Sequence, residues 1–338
     1  MQVISGPEAL AFRHLLNKPP RALAVAVSGG PDSMALLHVL SVLLAQHKKK
    51  TRLHAVTVDH GLRPEAAAEA AQVGIWVQDW AQVTHHVVQW KGRKPASSIQ
   101  ERAREKRYEL LADFCAEKKI RHLYLAHHQS DQAETFLFRL AKGSGLDGLS
   151  CMTAEAPYRD TDLLLCRPFL DVPKTALEHY CLSHAIPFVA DPGNENRDYA
   201  RIRLRQAMPV LEAEGLSEKR LAVTAARLQR ARAALDFYAA KIIRSAVTIE
   251  QDRAVIRLSA LRSAPEEIHL RVIRQVIATM GADGYGPRLE RLEDLLAEVF
   301  AAPKEAGKFT LGGFLFSSQV KTGLFVVQRE KASHNHSK

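Results

Sequence analysis

The chain has 338 residues, 46% of them apolar and 25% charged, with a formal net charge of +10. This is the balance of a folded globular protein long enough for two cores, and it excludes a mostly disordered or membrane-embedded polypeptide. The four cysteines, Cys115, Cys151, Cys166 and Cys181, form no Cys-x-x-Cys pair, and no secretory leader precedes the first predicted strand. The expected setting is therefore the reducing cytoplasm, without a structural metal or a membrane partner. The basic excess is uneven. Residues 1–216 carry 27 basic and 24 acidic side chains, whereas residues 217–338 carry 20 and 13, which makes the second part the candidate surface for a polyanion such as RNA.

Short apolar runs alternate with helical patterns from the start. A run at 23–27 precedes a helix over 33–46, and 53–58 precedes one over 64–80. The runs at 85–88 and 122–126 precede helices over 97–117 and 130–141. This repetition predicts an α/β fold, a doubly wound parallel sheet with helices on both faces, whose ligands sit beyond the carboxyl ends of the strands. Between 143 and 173 glycines and short segments replace the alternation; helices over 174–185 and 200–211 follow, separated by the turn Asp191-Pro192-Gly193-Asn194. A boundary near Gly215 separates a first domain, 1–215, from a smaller, mostly helical domain with a few strands, 216–330. That second domain opens on an arginine-rich helix over 217–245 and continues with a strand at 254–258 and helices over 265–280 and 287–300. Short strands at 309–311, 314–317 and 324–328 close it, and 331–338 reads as a disordered tail.

The sequence Ser28-Gly29-Gly30-Pro31-Asp32-Ser33 closes the first strand. Two adjacent glycines permit a tight turn that points successive N–H groups into one concavity, and the helix that follows adds its own unpaired N–H groups and positive dipole end. The result is an anion cradle. No Gly-x-x-x-x-Gly-Lys-[Ser/Thr] occurs in the chain, and no lysine stands in the turn to reach a terminal phosphate. Asp32 instead places a carboxylate beside bound phosphates, where its chemical use is to hold Mg²⁺ through oxygen. The turn thus predicts ATP bound for release of pyrophosphate, not for transfer of its last phosphate.

Asp131 and Glu134 stand three apart at the start of a helix that leaves a strand end, so both are expected to face the same cleft. Complementing the helix dipole is the alternative role. With Asp32 they bring three carboxylates to one edge, a charge that a Mg²⁺ ion or an amino-acid ammonium would neutralise. Arg104 and Arg107 share one face of the helix over 97–117, a face that is either solvated or aims a guanidinium at phosphate. His60, His127 and His128 fall at the same edge, and without a third soft ligand at metal spacing they read as orienting groups, not as zinc ligands or catalysts.

Several segments together resemble the tRNA(Ile)-lysidine synthetase family of PP-loop N-type ATP pyrophosphatases. They are the Ser28–Ser33 turn, Val58-Asp59-His60-Gly61-Leu62 and Ala103-Arg104-Glu105-Lys106-Arg107-Tyr108. Next come Ala126-His127-His128-Gln129-Ser130-Asp131-Gln132-Ala133-Glu134-Thr135 and Lys142-Gly143-Ser144-Gly145-Leu146. Arg167-Pro168-Phe169 and Asp191-Pro192-Gly193-Asn194 follow, before Arg201 and Arg205. The resemblance implies an adenine nucleotide α hydrolase-like fold and a ligase that adenylates the wobble cytidine of the isoleucine tRNA with a CAU anticodon, then replaces AMP by the ε-amine of L-lysine. By the same likeness Ser28, Gly29, Gly30, Pro31 and Ser33 hold the departing pyrophosphate while Asp32 places Mg²⁺. Arg104 faces the activated intermediate, Asp131 and Glu134 serve lysine or metal binding, and Arg201 serves lysine. One departure is Arg201-Ile202-Arg203, where the family has Arg-Asn before the next arginine.

Three other readings use parts of the pattern. A tRNA thiolase of the same superfamily needs paired cysteines or an iron–sulfur cluster. A small-molecule synthetase of the NAD or GMP type explains the turn but not the basic second domain. An ATP-responsive RNA-binding module would leave three carboxylates repelling its ligand.

Overall fold

The computed structural model describes residues 12, 15, 19–46, 50–61, 66–92, 99–189, 200–281, 289–301, 308–319 and 322–330. The turn expected at 191–194 and the tail at 331–338 lie outside them. The chain divides into two compact units, Met1–Gln229 and Arg230–Lys338.

The first unit opens with β1 (Ala22–Ala26), α1 (Pro31–Gln46), β2 (Arg52–Asp59), α2 (Ala66–Val77) and β3 (Val83–Gln89). It continues with α3 (Ile99–Glu117), β4 (His122–Tyr124), α4 (Gln129–Ala141), α5 (Leu146–Leu149), β5 (Glu155–Pro157) and β6 (Leu164–Cys166). Then come α6 (Lys174–Ser183), α7 (Ala200–Ala213) and the start of α8 (Glu218–Ala246). The sheet order is β3-β2-β1-β4-β6-β5. All pairings are parallel except β5 with β6, so the expected parallel sheet is corrected at one edge. There a hairpin closed by Tyr158 N–H to the Leu163 carbonyl at 2.8 Å adds two strands of three residues, too short to carry a hydrophobic period.

Alternation along β1 builds the two layers. Leu23 and Val25 pack with α1 and α6, while Ala24 faces α3 with Leu111, Phe114 and Cys115. Helix α1 is buried on almost every side, and Met34, Leu36, Leu37, Leu40 and Leu44 are fully enclosed, each contributing about 1.5–3 kcal/mol through loss of apolar surface from water. Strand order reverses between β1 and β4, which opens a crevice beyond their carboxyl ends. The Ser28–Ser33 turn follows β1 and His127-His128 follows β4, so the two segments flank that crevice.

The first unit runs past the boundary expected near Gly215. Leu221, Ala225 and Leu228 of α8 pack on Ala133, Phe136 and Leu137 of α4 and Met208 of α7, which ties the first turns of α8 to this core. In the second unit α8 leads into β7 (Val247–Glu250), β8 (Arg253–Arg257), α9 (Leu258–Arg262), α10 (Glu266–Thr279) and α11 (Leu289–Ala301). Strands β9 (Lys308–Leu311), β10 (Phe314–Gln319) and β11 (Leu324–Arg329) complete an antiparallel sheet ordered β7-β8-β11-β10-β9. Ile256, Phe316, Phe325 and Val327 pack with Val272, Ile273 and Val276 of α10. The sheet is larger than expected because β7 follows α8 with no glycine or proline to announce it.

Half-buried histidines make the first unit acid-sensitive. His38 on α1 meets Tyr180 Oη at 2.9 Å, and His54 on β2 meets His86 on β3 at 3.0 Å. Burial first, and neighbouring positive charge second, lowers the pKa of His38, His54, His85 and His86 below the ordinary 6.5. A depressed folded-state pKa gives stability that is present above 6.5 and lost as pH falls below it, because the unfolded chain then takes up more protons. The melting temperature is expected to drop between pH 7 and pH 5.5, before carboxylates titrate, and the drop is expected to shrink in a His54→Gln/His86→Gln variant. A calorimetric pH series checks this; a flat profile would contradict it.

Candidate active site

The turn after β1 is braced from within. Ser28 N–H donates to Ser33 Oγ at 3.1 Å, and Ser33 Oγ–H donates to the Gly30 carbonyl at 3.0 Å. The Gly29 carbonyl accepts from Val189 N–H at 2.8 Å. Pro31 starts α1, two residues earlier than expected, since its fixed φ suits the first helical position and its missing N–H costs nothing there. Gly29 has φ +87, and a Cβ there would lie 3.0 Å from Val73 Cγ2, so the turn needs glycine for both backbone shape and space. The N–H groups of Gly29, Asp32 and Ser33 find no acceptor among the described residues. Unpaired donors at a helix N-terminus form an anion site.

Across the crevice, His128 caps α4. Its N–H donates to Asp131 Oδ2 at 2.9 Å, which fixes that carboxylate over the helix start. The His128 ring lies between two acids, with Nε2 3.6 Å from Asp32 Oδ2 and 3.5 Å from Asp131 Oδ2. Burial alone would lower its pKa, but the bond to Asp32 and the charges of both carboxylates prevail and raise it. Its stability contribution is therefore complete below pH 6.5 and lost as pH rises through the raised value, opposite in sign to that of the buried histidines above. Asp32 Oδ1 and the Nδ1 atoms of His127 and His128 are buried without a hydrogen-bond partner among the described residues. Such orphaned atoms mark positions that a ligand can satisfy.

Glu134 stands one turn after Asp131 on α4, as expected, and near the same guanidinium of Arg205. It is 5% exposed and accepts from Arg205 Nε of α7 at 2.7 Å, so its charge is already matched within the protein. Ser130 Oγ, one residue before Asp131, donates to Glu218 of α8 at 2.6 Å and ties the same helix start to a second element. The side chain of Arg201, on α7, lies outside the described residues.

Arg104 is exposed on α3, its guanidinium carbon 5.5 Å from the Tyr108 ring centroid. Its charge reaches the strand edge. His127 is held neutral, its pKa pushed down to about 3 by burial and by Arg167 and Arg104 against the opposing pull of Asp131. Arg107 donates from Nε to His60 Nε2 at 3.1 Å, and Asp59 Oδ1 accepts from Gly61 N–H at 2.8 Å, so these two motifs shape the loop after β2. Arg167, after β6, is buried, donates to the Thr153 carbonyl at 3.1 Å and lines a cavity of about 410 Å³ with Gln132, Pro168, Asp171 and Gln229. Glu218 is the site residue that sequence reasoning does not select, and the pairing of Arg205 with Glu134 and of His128 with Asp32 is likewise not readable from spacing.

Residues 8–211 match the family model described as a PP-loop domain. A tRNA(Ile)-lysidine synthase from Methylobacterium sp. (strain 4-46) is 42% identical over 300 residues, covering 87% of this chain and 85% of the relative. The chain belongs to the tRNA(Ile)-lysidine synthase family. The family member from Bradyrhizobium diazoefficiens is 38% identical over 335 residues, covering 93% of this chain and 91% of its own. Among solved structures, the U34-tRNA thiolase NcsA from Methanococcus maripaludis with its [4Fe-4S] cluster superposes with a TM-score of 0.54 at 15% identity, over 66% of this chain and 77% of that one. That likeness shows the PP-loop fold shared with the synthase family, and no more.

Proposed function

We propose that the protein binds ATP in the Ser28–Ser33 turn, adenylates the wobble cytidine of the isoleucine tRNA with a CAU anticodon, and joins L-lysine to it. The observation that carries this reading is the set of N–H groups at Gly29, Asp32 and Ser33 that find no acceptor among the described residues, in a turn whose Asp32 meets His128 across the crevice. In the first step the cytosine oxygen attacks the α-phosphorus and pyrophosphate leaves. The ε-nitrogen of lysine then attacks the ring carbon, AMP leaves with that oxygen, and the attacking amine gives up a proton. The amine has an ordinary pKa near 10.4, so a carboxylate at the strand edge must favour or accept that proton.

Asp32 fits a magnesium site, since its Oδ1 is buried, has no hydrogen-bond partner among the described residues, and belongs to the phosphate turn itself. Asp32 would hold Mg²⁺, which would neutralise charge on the leaving pyrophosphate. Ser28, Gly29, Gly30, Pro31 and Ser33 shape the pyrophosphate cradle, and Arg104 offers its guanidinium to the adenylate. Asp131 receives the lysine ammonium at the start of α4, where the His128 N–H fixes its Oδ2. Glu134 and Arg201 then act from α4 and α7 on the lysine side, Glu134 by fixing the guanidinium of Arg205. The basic second unit is the surface for tRNA, and the cytoplasm is the compartment that supplies it. Among the described residues no helix is long and apolar enough to cross a membrane.

Sulfur transfer is the less favoured reading. All four cysteines are free and buried, and burial pushes Cys115 and Cys166 up to about 12 and Cys151 and Cys181 up to about 11, which leaves no thiolate to carry sulfur. The deciding experiment supplies bulk tRNA, ATP, Mg²⁺ and radiolabelled lysine. Label in tRNA with lysine-dependent AMP release is expected; AMP release that requires a sulfur donor or ammonia instead would replace this reading.

A further inference from the structure

The part of α8 in the second unit has two faces. Leu235, Ala239, Ile242 and Ile243 turn into the core, as helical spacing requires. Phe237 and Tyr238 turn outward, 62% and 57% exposed, with ring centroids 5.6 Å apart at 82°. Nothing in the core requires two large rings on the solvent face. Arg230, Phe237 and Arg244 recur every seven residues and so form one row along the helix, about 10 Å between successive members at 1.5 Å per residue. Lys241 lies one turn beyond Phe237 beside that row.

The charges of this row are uncompensated. Arg230, Lys241 and Arg244 are exposed and make no ion pair among the described residues. Asp236, the acid in this part of α8, is held by Arg232 at 3.5 Å and by Arg271 at 2.6 Å. An apolar protein face laid here would strip water from three unmatched cations at a large cost. A polymer that alternates flat rings with phosphates meets both features, rings on rings and phosphates on cations.

We propose that Phe237 and Tyr238 form a stacking platform for an unpaired nucleobase of the RNA substrate, with Arg230, Lys241 and Arg244 on the flanking phosphates. This rests on the tRNA reading above. The test measures tRNA affinity of the intact chain by fluorescence anisotropy over a series of salt concentrations. A Phe237→Ala/Tyr238→Ala variant is expected to bind about 10- to 100-fold more weakly with an unchanged salt slope, because stacking is removed while the cations still neutralise phosphates. An Arg230→Ala/Lys241→Ala/Arg244→Ala variant is expected to flatten the slope by about 2–3, at roughly 0.7–0.9 for each phosphate no longer neutralised. Phe237→Trp/Tyr238→Phe, which keeps two rings, is expected to retain wild-type affinity. Wild-type affinity in the double alanine variant would overturn the platform, as would a wild-type dimer at assay concentration that this variant converts to monomer. If wild-type protein makes no lysine-labelled tRNA, the proposed function fails; if it does and the double variant binds normally, only the platform fails.

Discussion

Replacing Asp32 by alanine is expected to lower AMP formation by about 10²–10³-fold, the usual cost of removing one preorganised charge from a reacting centre, while tRNA binding stays near wild type. The split follows from position. Asp32 sits at the start of α1 with Oδ1 buried and, among the described residues, without a hydrogen-bond partner, in the turn proposed to hold the phosphates and outside the basic second unit proposed to hold tRNA. Asp32→Ala also removes one of the two acids beside His128 Nε2, leaving Asp131 as the partner at 3.5 Å. Asp32→Asn keeps the shape and removes the charge, so a loss similar to that of Asp32→Ala assigns the effect to the carboxylate charge and not to a cavity left by truncation. Lysine-dependent pyrophosphate release read beside a tRNA binding isotherm checks the expectation, and full turnover in Asp32→Ala would remove the turn from the mechanism.

Arg205→Ala is expected to destabilise the first unit more than Glu134→Gln does. Glu134 is 5% exposed and Arg205 45% exposed, so deleting the arginine leaves a buried carboxylate without its donor, whereas deleting the acid's charge leaves a cation that water can reach. The expected cost of Arg205→Ala is about 1–3 kcal/mol, reduced by the exposure of the arginine, and Glu134→Gln/Arg205→Ala is expected to recover part of it. Thermal melts of the three variants decide the matter. If Arg205→Ala melts with wild type, Glu134 has another partner and the lysine side of the site needs a different assignment.

The phosphate turn is legible in the chain because it is local: six consecutive residues contain both the backbone freedom and the carboxylate. The placement of Asp131 at a strand edge is legible for the same reason, through a strand, a short loop and a helix start. Glu134 reads from spacing as a second carboxylate of that edge, and the ion pair it makes comes from Arg205, 71 residues away in sequence. No spacing rule reports such a pairing. The same holds for Ser130 and Glu218, and for His128, which reads as an orienting group but whose partner Asp32 comes only from across the crevice. Secondary structure escapes a sequence reading where the signal is shortest, at the three-residue strands β5 and β6. The end of the first unit lies later than expected because Leu221, Ala225 and Leu228 read as part of one uninterrupted helix and give no sign of which core receives them.

The shielded cysteines give the molecule a gauge of its own breathing. Cys115 lies in the layer under α3, Cys181 in the layer around α1, and Cys151 where α4, α7 and α8 meet. A small alkylating reagent reaches each sulfur only when its surroundings part, so the order in which the three are capped ranks how readily those regions come open.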